Sequence, residues 1–269
     1  MTMNYKKICE EAIAVVKDAG IFISKERMQI KASVATSKGL HDFVTHVDKG
    51  SEQILIAGLK RLLPDAGFIA EESGYDGEGN EYVWVIDPLD GTTNFIHQCP
   101  PFAISVALMQ GHEIVAGIVY EVVLDECFYA WKDGGAYCNG KPIHVSQTST
   151  LDTMFIATGF PYHAFDRLEP FMKSLEYFFI NSPGVRRLGS AATDFAYVAC
   201  GRFDAFYEYN LNPWDVAAGA FIVMQAGGKA SDFSGGDNFV FGKEIIASNS
   251  AGYKVFKEAI EKIMIKKEY

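Results

Sequence analysis

Apolar residues recur at helical spacing from the first turn of the chain. Tyr5, Ile8, Cys9, Ala12, Val15, Val16, Ala19, Phe22 and Ile23 share one face, which predicts a long amphipathic opening helix. A second helix reads from about Thr45 to Leu63. Thr45-His46-Val47-Asp48 has the form of a capping box, and Pro64 ends the run. The period then shortens. Gly67 to Ala70 and Tyr82 to Ile86 read as strands flanking a polar, Gly-rich loop from Ser73 to Asn80. Ala103 to Met109, Ile114 to Val119 and Glu126 to Trp131 are short β-rich runs bounded by turn signals. Asn139-Gly140 marks a tight hairpin between Ala136-Tyr137-Cys138 and Ile143-His144-Val145, so the middle of the chain is expected to form antiparallel sheet.

The last third alternates. Asp152 to Ala157 reads as a strand, Asp166 to Phe179 and Ala191 to Cys200 as helices, and Phe203 to Tyr207 as a strand. The next helix starts at Pro213 with Asn212 as its N-cap and stops at Gly227-Gly228. A strand near Ile245 to Ala247 precedes a terminal amphipathic helix ending in Lys266-Lys267. No repeat or long linker separates the halves. Residues 1–269 are therefore expected to form one unit, an N-terminal α+β half (1–147) and a C-terminal α/β half (148–269) completing a shared site.

Composition narrows the class. Hydrophobic residues make up 49% and charged residues 22%, a balance that excludes disorder, collagen and low complexity. The 34 acidic residues outnumber the 24 basic ones for a net charge of −10, which disfavours direct binding to nucleic-acid backbone or anionic membrane. The stretch Met1 to Gly20 is broken by Lys6, Lys7, Glu10, Glu11, Lys17 and Asp18, so it carries no apolar targeting core. Runs such as Val216 to Met224 fall short of the roughly 18 residues of a membrane span. The five cysteines are scattered without a CxxC pair, and free thiols in a reducing compartment, the cytoplasm, are expected.

The acidic excess becomes informative where carboxylates follow apolar strands. Glu71-Glu72 follows Phe68-Ile69-Ala70, Asp87 follows Val83-Trp84-Val85-Ile86, and Asp90 comes after Pro88-Leu89. Asp215 sits in the first turn of an otherwise apolar helix. Ionised groups there are costly to desolvate unless something neutralises them, and two Mg²⁺ ions balance four carboxylates. Pro88 is expected to fix a turn from which Asp87 and Asp90 flank one ion, with the Leu89 carbonyl between them. Gly91-Thr92-Thr93 reads as a helix opening whose free N–H groups favour a phosphate. Cation ligands and anion donors within seven residues are what metal-assisted phosphoryl transfer needs.

Three segments carry a resemblance: Ile69-Ala70-Glu71-Glu72-Ser73-Gly74, the run from Trp84 through Asp87-Pro88-Leu89-Asp90-Gly91-Thr92-Thr93 to Phe95, and Trp214-Asp215-Val216-Ala217-Ala218-Gly219. In order and over nearly the whole chain, they resemble the signatures of the inositol monophosphatase family. The resemblance extends to Asp42-Phe43-Val44-Thr45 with Asp48, to Tyr207-Glu208, and to Gly227-Gly228. It implies an α+β fold, a layered αβαβα sandwich of alternating helices and mixed or antiparallel sheets. It also implies a lithium-sensitive, Mg²⁺-dependent phosphoric monoester hydrolase, usually a homodimer, that acts on a small phosphorylated polyol. Carried over by residue, Glu71, Asp87 and the Leu89 carbonyl would hold one Mg²⁺, and Asp87, Asp90 and Asp215 a second. A weaker third ion would lean on Glu71. Thr92, bonded to Asp48, would orient the attacking water with Glu71. Gly91 and Thr92 amides would bind phosphate, and Asp90, Ser190, Ala191 and Glu208 would contact the alcohol. The stretch Lys38-Gly39-Leu40-His41-Asp42, which bears on the third ion and on lithium, is one residue shorter than in animal members.

Several residues keep a second reading. Asp48 is equally the last residue of a capping box, and Asp215 is a first-turn acid of the kind that stabilises any helix. Adjacent residues on a strand face opposite ways, so only one of Glu71 and Glu72 points at a metal, and the resemblance selects Glu71. The six histidines show no metal-like spacing, and no G-x-S-x-G elbow surrounds Ser190. Inositol monophosphate is the leading substrate; fructose 1,6-bisphosphate or histidinol phosphate is the alternative. Thr93 stands where the bisphosphate nucleotidase branch typically has Lys. Some bacterial members of the family also bind the transcription machinery, which leaves an interaction role as the rival from another class.

Overall fold

The computed structural model describes residues 3–29, 36–39, 42–44, 46–77, 79–162 and 165–265. Thr45 of the expected capping box, Leu40, His41, His163 and Lys266-Lys267 lie outside them. Helix α1 (Tyr5–Arg27) opens on Asn4, whose side chain accepts the Lys7 N–H at 3.0 Å. The hairpin β1 (Thr36–Gly39) and β2 (Asp42–Val44) leads into α2 (His46–Leu62). A large sheet follows: β3 (Gly67–Ala70), β4 (Gly74–Asp76), β5 (Tyr82–Asp90), β6 (Ala103–Gln110), β7 (Glu113–Glu121), β8 (Glu126–Trp131), β9 (Ala136–Cys138) and β10 (Lys141–Ile143). The short helix α3 (Thr92–Ile96) interrupts it after β5. Its order is β10-β9-β8-β7-β6-β5-β3-β4, antiparallel throughout except for the parallel β3/β5 pair.

The second sheet comes from the last third. It comprises β11 (Phe155–Thr158), β12 (Gly184–Arg186), β13 (Ala205–Tyr209), β14 (Gly228–Ser231) and β15 (Glu244–Asn249), in the order β12-β11-β13-β15-β14. It mixes parallel β11/β12 and β11/β13 pairs with antiparallel β13/β15 and β14/β15 pairs. Its connecting helices are α4 (Leu168–Asn181), α5 (Ala191–Ala199), α6 (Pro213–Gln225) and α7 (Tyr253–Met264).

Five layers result. Helices α1 and α2 cover one face of the large sheet, α5 and α6 fill the space between the sheets, and α4 and α7 cover the outer face of the small one. Alternation along the strands assigns side chains to these interfaces. On β6, Ile104, Val106 and Leu108 join the core under α1 and α2, whereas Ala103, Ala107 and Met109 join the core around α5 and α6. On β13, Ala205, Tyr207 and Tyr209 pack toward α4 and α7, and Phe206 packs toward the middle layer. Residues of both chain halves meet in that middle core. This is the layered α+β sandwich expected. No helix among the described residues is long and apolar enough to cross a membrane.

Several expected elements differ. Residues 152–157 are not one strand: Leu151–Thr153 form a 3₁₀ turn, and the strand begins at Phe155. The polar loop after Ser73 contains β4, which pairs with β3, and β12 and β14 are short strands of low apolar content. The hairpin turn at Asn139-Gly140 is present with both residues at positive φ, and its second strand is Lys141–Ile143. The expected turn at Pro88 is instead a bulge within the continuous strand β5.

Candidate active site

The β5 bulge carries the most consequence. Asp87 pairs with Ser105 and Asp90 with Ala103, so β5 spends one residue more than β6 over this interval. In a regular strand, residues three apart face opposite sides. The extra residue brings Asp90 back to the side Asp87 occupies, and that side faces the middle layer, where Val85 also packs. Pro88 fits a bulge because it has no N–H to donate. Its carbonyl accepts the Ser51 hydroxyl at 2.8 Å, and Asp87 Oδ1 accepts the Leu89 N–H at 3.0 Å. Gly91 then takes φ 90°, a left-handed conformation only glycine adopts readily, before α3 begins.

Glu71, Asp87, Leu89, Asp90, Gly91, Thr92, Ser190, Ala191, Glu208 and Asp215 all line one pocket between the sheets. Glu72 is not among the lining residues; its N–H donates to Glu52 Oε2 at 2.8 Å, while Glu71 N–H extends the β3/β5 pairing to Ile86. Asp215 caps α6 by accepting the Asn212 N–H at 2.6 Å, as its first-turn position predicts, and it also lines the pocket. Asp48, 1% exposed behind the pocket, accepts the Thr92 hydroxyl at 2.9 Å; that hydroxyl also lies 3.0 Å from the Leu89 carbonyl. Ser190 is the N-cap of α5, yet its hydroxyl donates to Asp90 Oδ2 at 2.7 Å, where the Ala192 N–H also arrives at 2.7 Å. One Asp90 oxygen is thus tied to the start of a helix, where a negative charge is favoured.

The electrostatics are those of crowded anions. Burial raises Asp87 well above the ordinary carboxylate range, and the charges of Glu71, Asp90 and Asp215 raise it further. Asp215 is raised chiefly by burial, against the Asn212 N–H that favours its charged form. Asp90 rises only to about 6, because Ser190 and the first amides of α5 oppose the burial. Among the described residues no three Asp, Glu, His or Cys side chains are already drawn to closed metal-ligand spacing. The fit to a cation therefore rests on donor chemistry: an all-oxygen set of carboxylates plus a carbonyl suits a hard divalent ion.

Glu208 lies inside β13, not after it, on the Phe206 side that faces the middle layer. The residue is 8% exposed, and its carboxyl is raised well above its usual range, first by burial and then by Asp215. The space it fills exists because residue 159 has no side chain. A Cβ at Gly159 would lie 1.9 Å from Glu208 Cδ and 2.0 Å from either carboxylate oxygen. Gly159→Ala should therefore cost about 1–3 kcal/mol of stability by overpacking. In a Glu208→Ala background the same change should cost much less, read as denaturant midpoints in a double-mutant cycle. Additive losses would show that Glu208 does not occupy this gap.

The structure adds pocket residues the sequence reading passed over: Gly159, Tyr162, Arg187 and Asp194. Asp194 had a readable signal, a lone acid in the apolar run Ala191-Ala192-Thr193-Asp194-Phe195-Ala196, the criterion that found Asp215. Arg187 and Gly159 had none, since only tertiary packing brings them to the site.

The family model described as "Inositol monophosphatase family" matches residues 4–266. Nus factor SuhB of Pseudomonas aeruginosa is 39% identical over 257 residues, covering 93% of this chain and 94% of that protein. Inositol-1-monophosphatase of Mesorhizobium japonicum is 37% identical over 245 residues, covering 91% and 92%. The solved structure of inositol monophosphatase from Anabaena (Nostoc) sp. PCC 7120 superposes with a TM-score of 0.87 at 34% identity, covering 97% and 98%. A chain matched from end to end, by sequence and by fold, belongs to the inositol monophosphatase family.

Proposed function

We propose that this protein is a Mg²⁺-dependent phosphatase of small phosphorylated polyols, with inositol monophosphate as the leading substrate. The observation that carries the reading is the convergence of Glu71, Asp87, Asp90, Asp215 and the Leu89 carbonyl on one pocket that Glu208 also lines. Glu71, Asp87 and the Leu89 carbonyl would hold one ion, Asp87, Asp90 and Asp215 a second, and a weaker third would lean on Glu71. Bound there, such cations neutralise the phosphoryl group and the departing oxygen and acidify water.

The chain's own groups do the rest. Gly91 and Thr92 amides receive the phosphate oxygens. Thr92 accepts a hydrogen bond from the attacking water and donates its own proton to Asp48, fixing the water beside Glu71. The water oxygen forms the new P–O bond, its proton passing to Glu71, as the ester P–O bond breaks opposite it; the alkoxide takes a proton from a second water and leaves as the alcohol, and the proton held by Glu71 returns to solvent. Asp90, Ala191 and Glu208 border the alcohol. Ser190, 1% exposed, acts on it through Asp90 and its backbone.

A release assay over several dozen phosphorylated metabolites tests the substrate class. Preference for a sugar bisphosphate or histidinol phosphate would move the assignment to the neighbouring branch. Glu208 gives a residue-level test. A carboxyl at this wall does not help bind phosphate but does hydrogen-bond hydroxyls. Glu208→Ala should weaken turnover of inositol monophosphate more than that of phenyl phosphate, by about 1–3 kcal/mol. Equal losses on both would mean that Glu208 serves the metals or the fold.

A second reading has its own support, since the Pseudomonas relative is named a Nus factor. In that reading the fold also docks on transcription machinery, and capture of that machinery should survive Asp90→Asn. We further propose a homodimer that folds as one unit, in keeping with the core shared by both halves, and a cytoplasmic location, in keeping with five unpaired cysteines.

A further inference from the structure

Arg187 and Asp194 form a wall of the pocket that the reaction above leaves unused. The guanidinium of Arg187 lies over Phe160 and Tyr162, at 5.2 and 5.6 Å from the ring centroids, and its Nη2 donates to the Tyr162 hydroxyl at 2.6 Å. Its Nη1 sits above Gly189, where a Cβ would come within 2.5 Å. These contacts hold the group in place but leave Nε, a buried donor, without a hydrogen-bond partner. Asp194 is 1% exposed on α5, and its Oδ1 is likewise buried and unpartnered. Only Trp84 Nε1 and Glu121 Oε1 share that condition among the described residues, so half of such atoms lie on this wall. Each unmet buried polar atom costs about 1–3 kcal/mol, and a bound ligand is one means of meeting it.

The wall's charge selects the ligand chemistry. Asp90, Asp194 and Glu208 all interact with Arg187, so a second phosphate on the substrate would find that charge already shared and would have to be desolvated against buried carboxyls. Hydroxyls meet neither penalty. A guanidinium N–H donates to a hydroxyl oxygen, and a carboxyl pairs with a hydroxyl in either sense. Burial, with the charges of Glu208 and Asp90, raises the Asp194 carboxyl well above its usual range, so it can carry a proton and serve as donor and acceptor.

We propose that Arg187 and Asp194, which both line the pocket, are specificity-determining residues that read adjacent hydroxyls of the alcohol, the Arg187 guanidinium donating to one and the Asp194 carboxyl hydrogen-bonding to the next. The inference rests on the polyol-phosphatase reading and adds to it a preference for uncharged vicinal hydroxyls over a second phosphate. The test compares kcat/KM for myo-inositol monophosphate, phenyl phosphate and fructose 1,6-bisphosphate in the full-length Mg²⁺-loaded enzyme. Asp194→Ala should lose at least about fivefold more on the inositol ester than on phenyl phosphate, mainly through KM. Asp194→Asn, which keeps a donor and an acceptor, should recover most of that loss. Arg187→Met should shift the same ratio by at least about fivefold and serves as the test if Asp194→Ala does not fold.

A wild-type enzyme that prefers the inositol ester, with the ratio unmoved by the variants, overturns the inference and leaves the substrate reading standing. Equal losses on both monoesters would also overturn it. A wild-type enzyme that prefers the bisphosphate, with that preference lost in Arg187→Met, would replace hydroxyl readout by anion readout. No preference for the inositol ester at all removes the substrate reading and this inference with it.

Discussion

Exhaustive chelation of divalent cations is expected to stop phosphate release, and Mg²⁺ added back should restore turnover together with thermal stability. The reason lies in the carboxylates of the pocket. Asp87 and Asp215 are raised well above the ordinary carboxylate range and Asp90 to about 6, so the metal-free folded protein holds protons that the unfolded chain has released. Stability rises with pH only where the unfolded state binds more protons. Here the folded state binds more, so these groups make the metal-free protein less stable as pH rises from about 4 through 6 and beyond. A cation replaces the protons and lifts that penalty. Its stabilisation should therefore grow between pH 5.5 and pH 8, and at a hundredfold excess over Kd binding alone contributes about 2.7 kcal/mol. Asp90→Asn keeps an acceptor for Ser190 and the α5 amides and should still fold, but it removes charge where several kcal/mol of transition-state stabilisation is proposed, or at least about 10²-fold in rate. Full turnover after chelation, or a near-normal rate in Asp90→Asn, would sink the two-ion reading.

How far the sequence foretold this site depends on what fixes each residue. Asp87, Asp90 and Asp215 stand out because acids beside apolar runs defy the desolvation cost, a local signal visible in one dimension. The succession of helices and strands follows from periodicity, since α1, α2 and the central strands are long enough for their patterns to be unambiguous, whereas the layering is implied only by the family resemblance. The short edge strands β4, β12 and β14 have three or four residues each and are fixed by pairing, not by composition. Pro88 shows the limit most clearly. Its fixed backbone angle predicts a turn, whereas the β6 partner keeps β5 extended and converts the extra residue into a bulge. The same two aspartates reach the same pocket, by a different backbone route. Gly159 and Arg187 have no one-dimensional signal at all. Each matters because of what tertiary packing sets against it, the Glu208 carboxyl in one case and the Phe160 and Tyr162 rings in the other.

Thr92→Ala is expected to lower kcat by about 10²–10⁴-fold, the usual range for a group that positions and relays a proton in the transition state. The Thr92 hydroxyl has one proton and two acceptors within reach, Asp48 Oδ1 at 2.9 Å and the Leu89 carbonyl at 3.0 Å. It can donate to only one at a time. If the Leu89 carbonyl is engaged by a cation, as proposed, the proton is left to Asp48, and the oxygen lone pairs turn outward to receive the water. Asp48 thus sets the direction of a hydroxyl it does not share with the substrate, and its place in the first turn of α2 keeps its carboxylate stationary. Thr92→Ser, which preserves the hydroxyl, should retain most of the rate; Thr92→Ala should not, although both keep the backbone amide proposed for phosphate. Because no proposed metal ligand is removed, Mg²⁺ affinity by calorimetry should stay within a few-fold. Loss of the donor to a carboxylate that is 1% exposed should cost about 1–3 kcal/mol of stability in the alanine variant alone. A variant with weakened Mg²⁺ binding but an unchanged rate at saturating metal would contradict the role, because it would mean that Thr92 supports the Leu89 carbonyl and leaves the water to other groups.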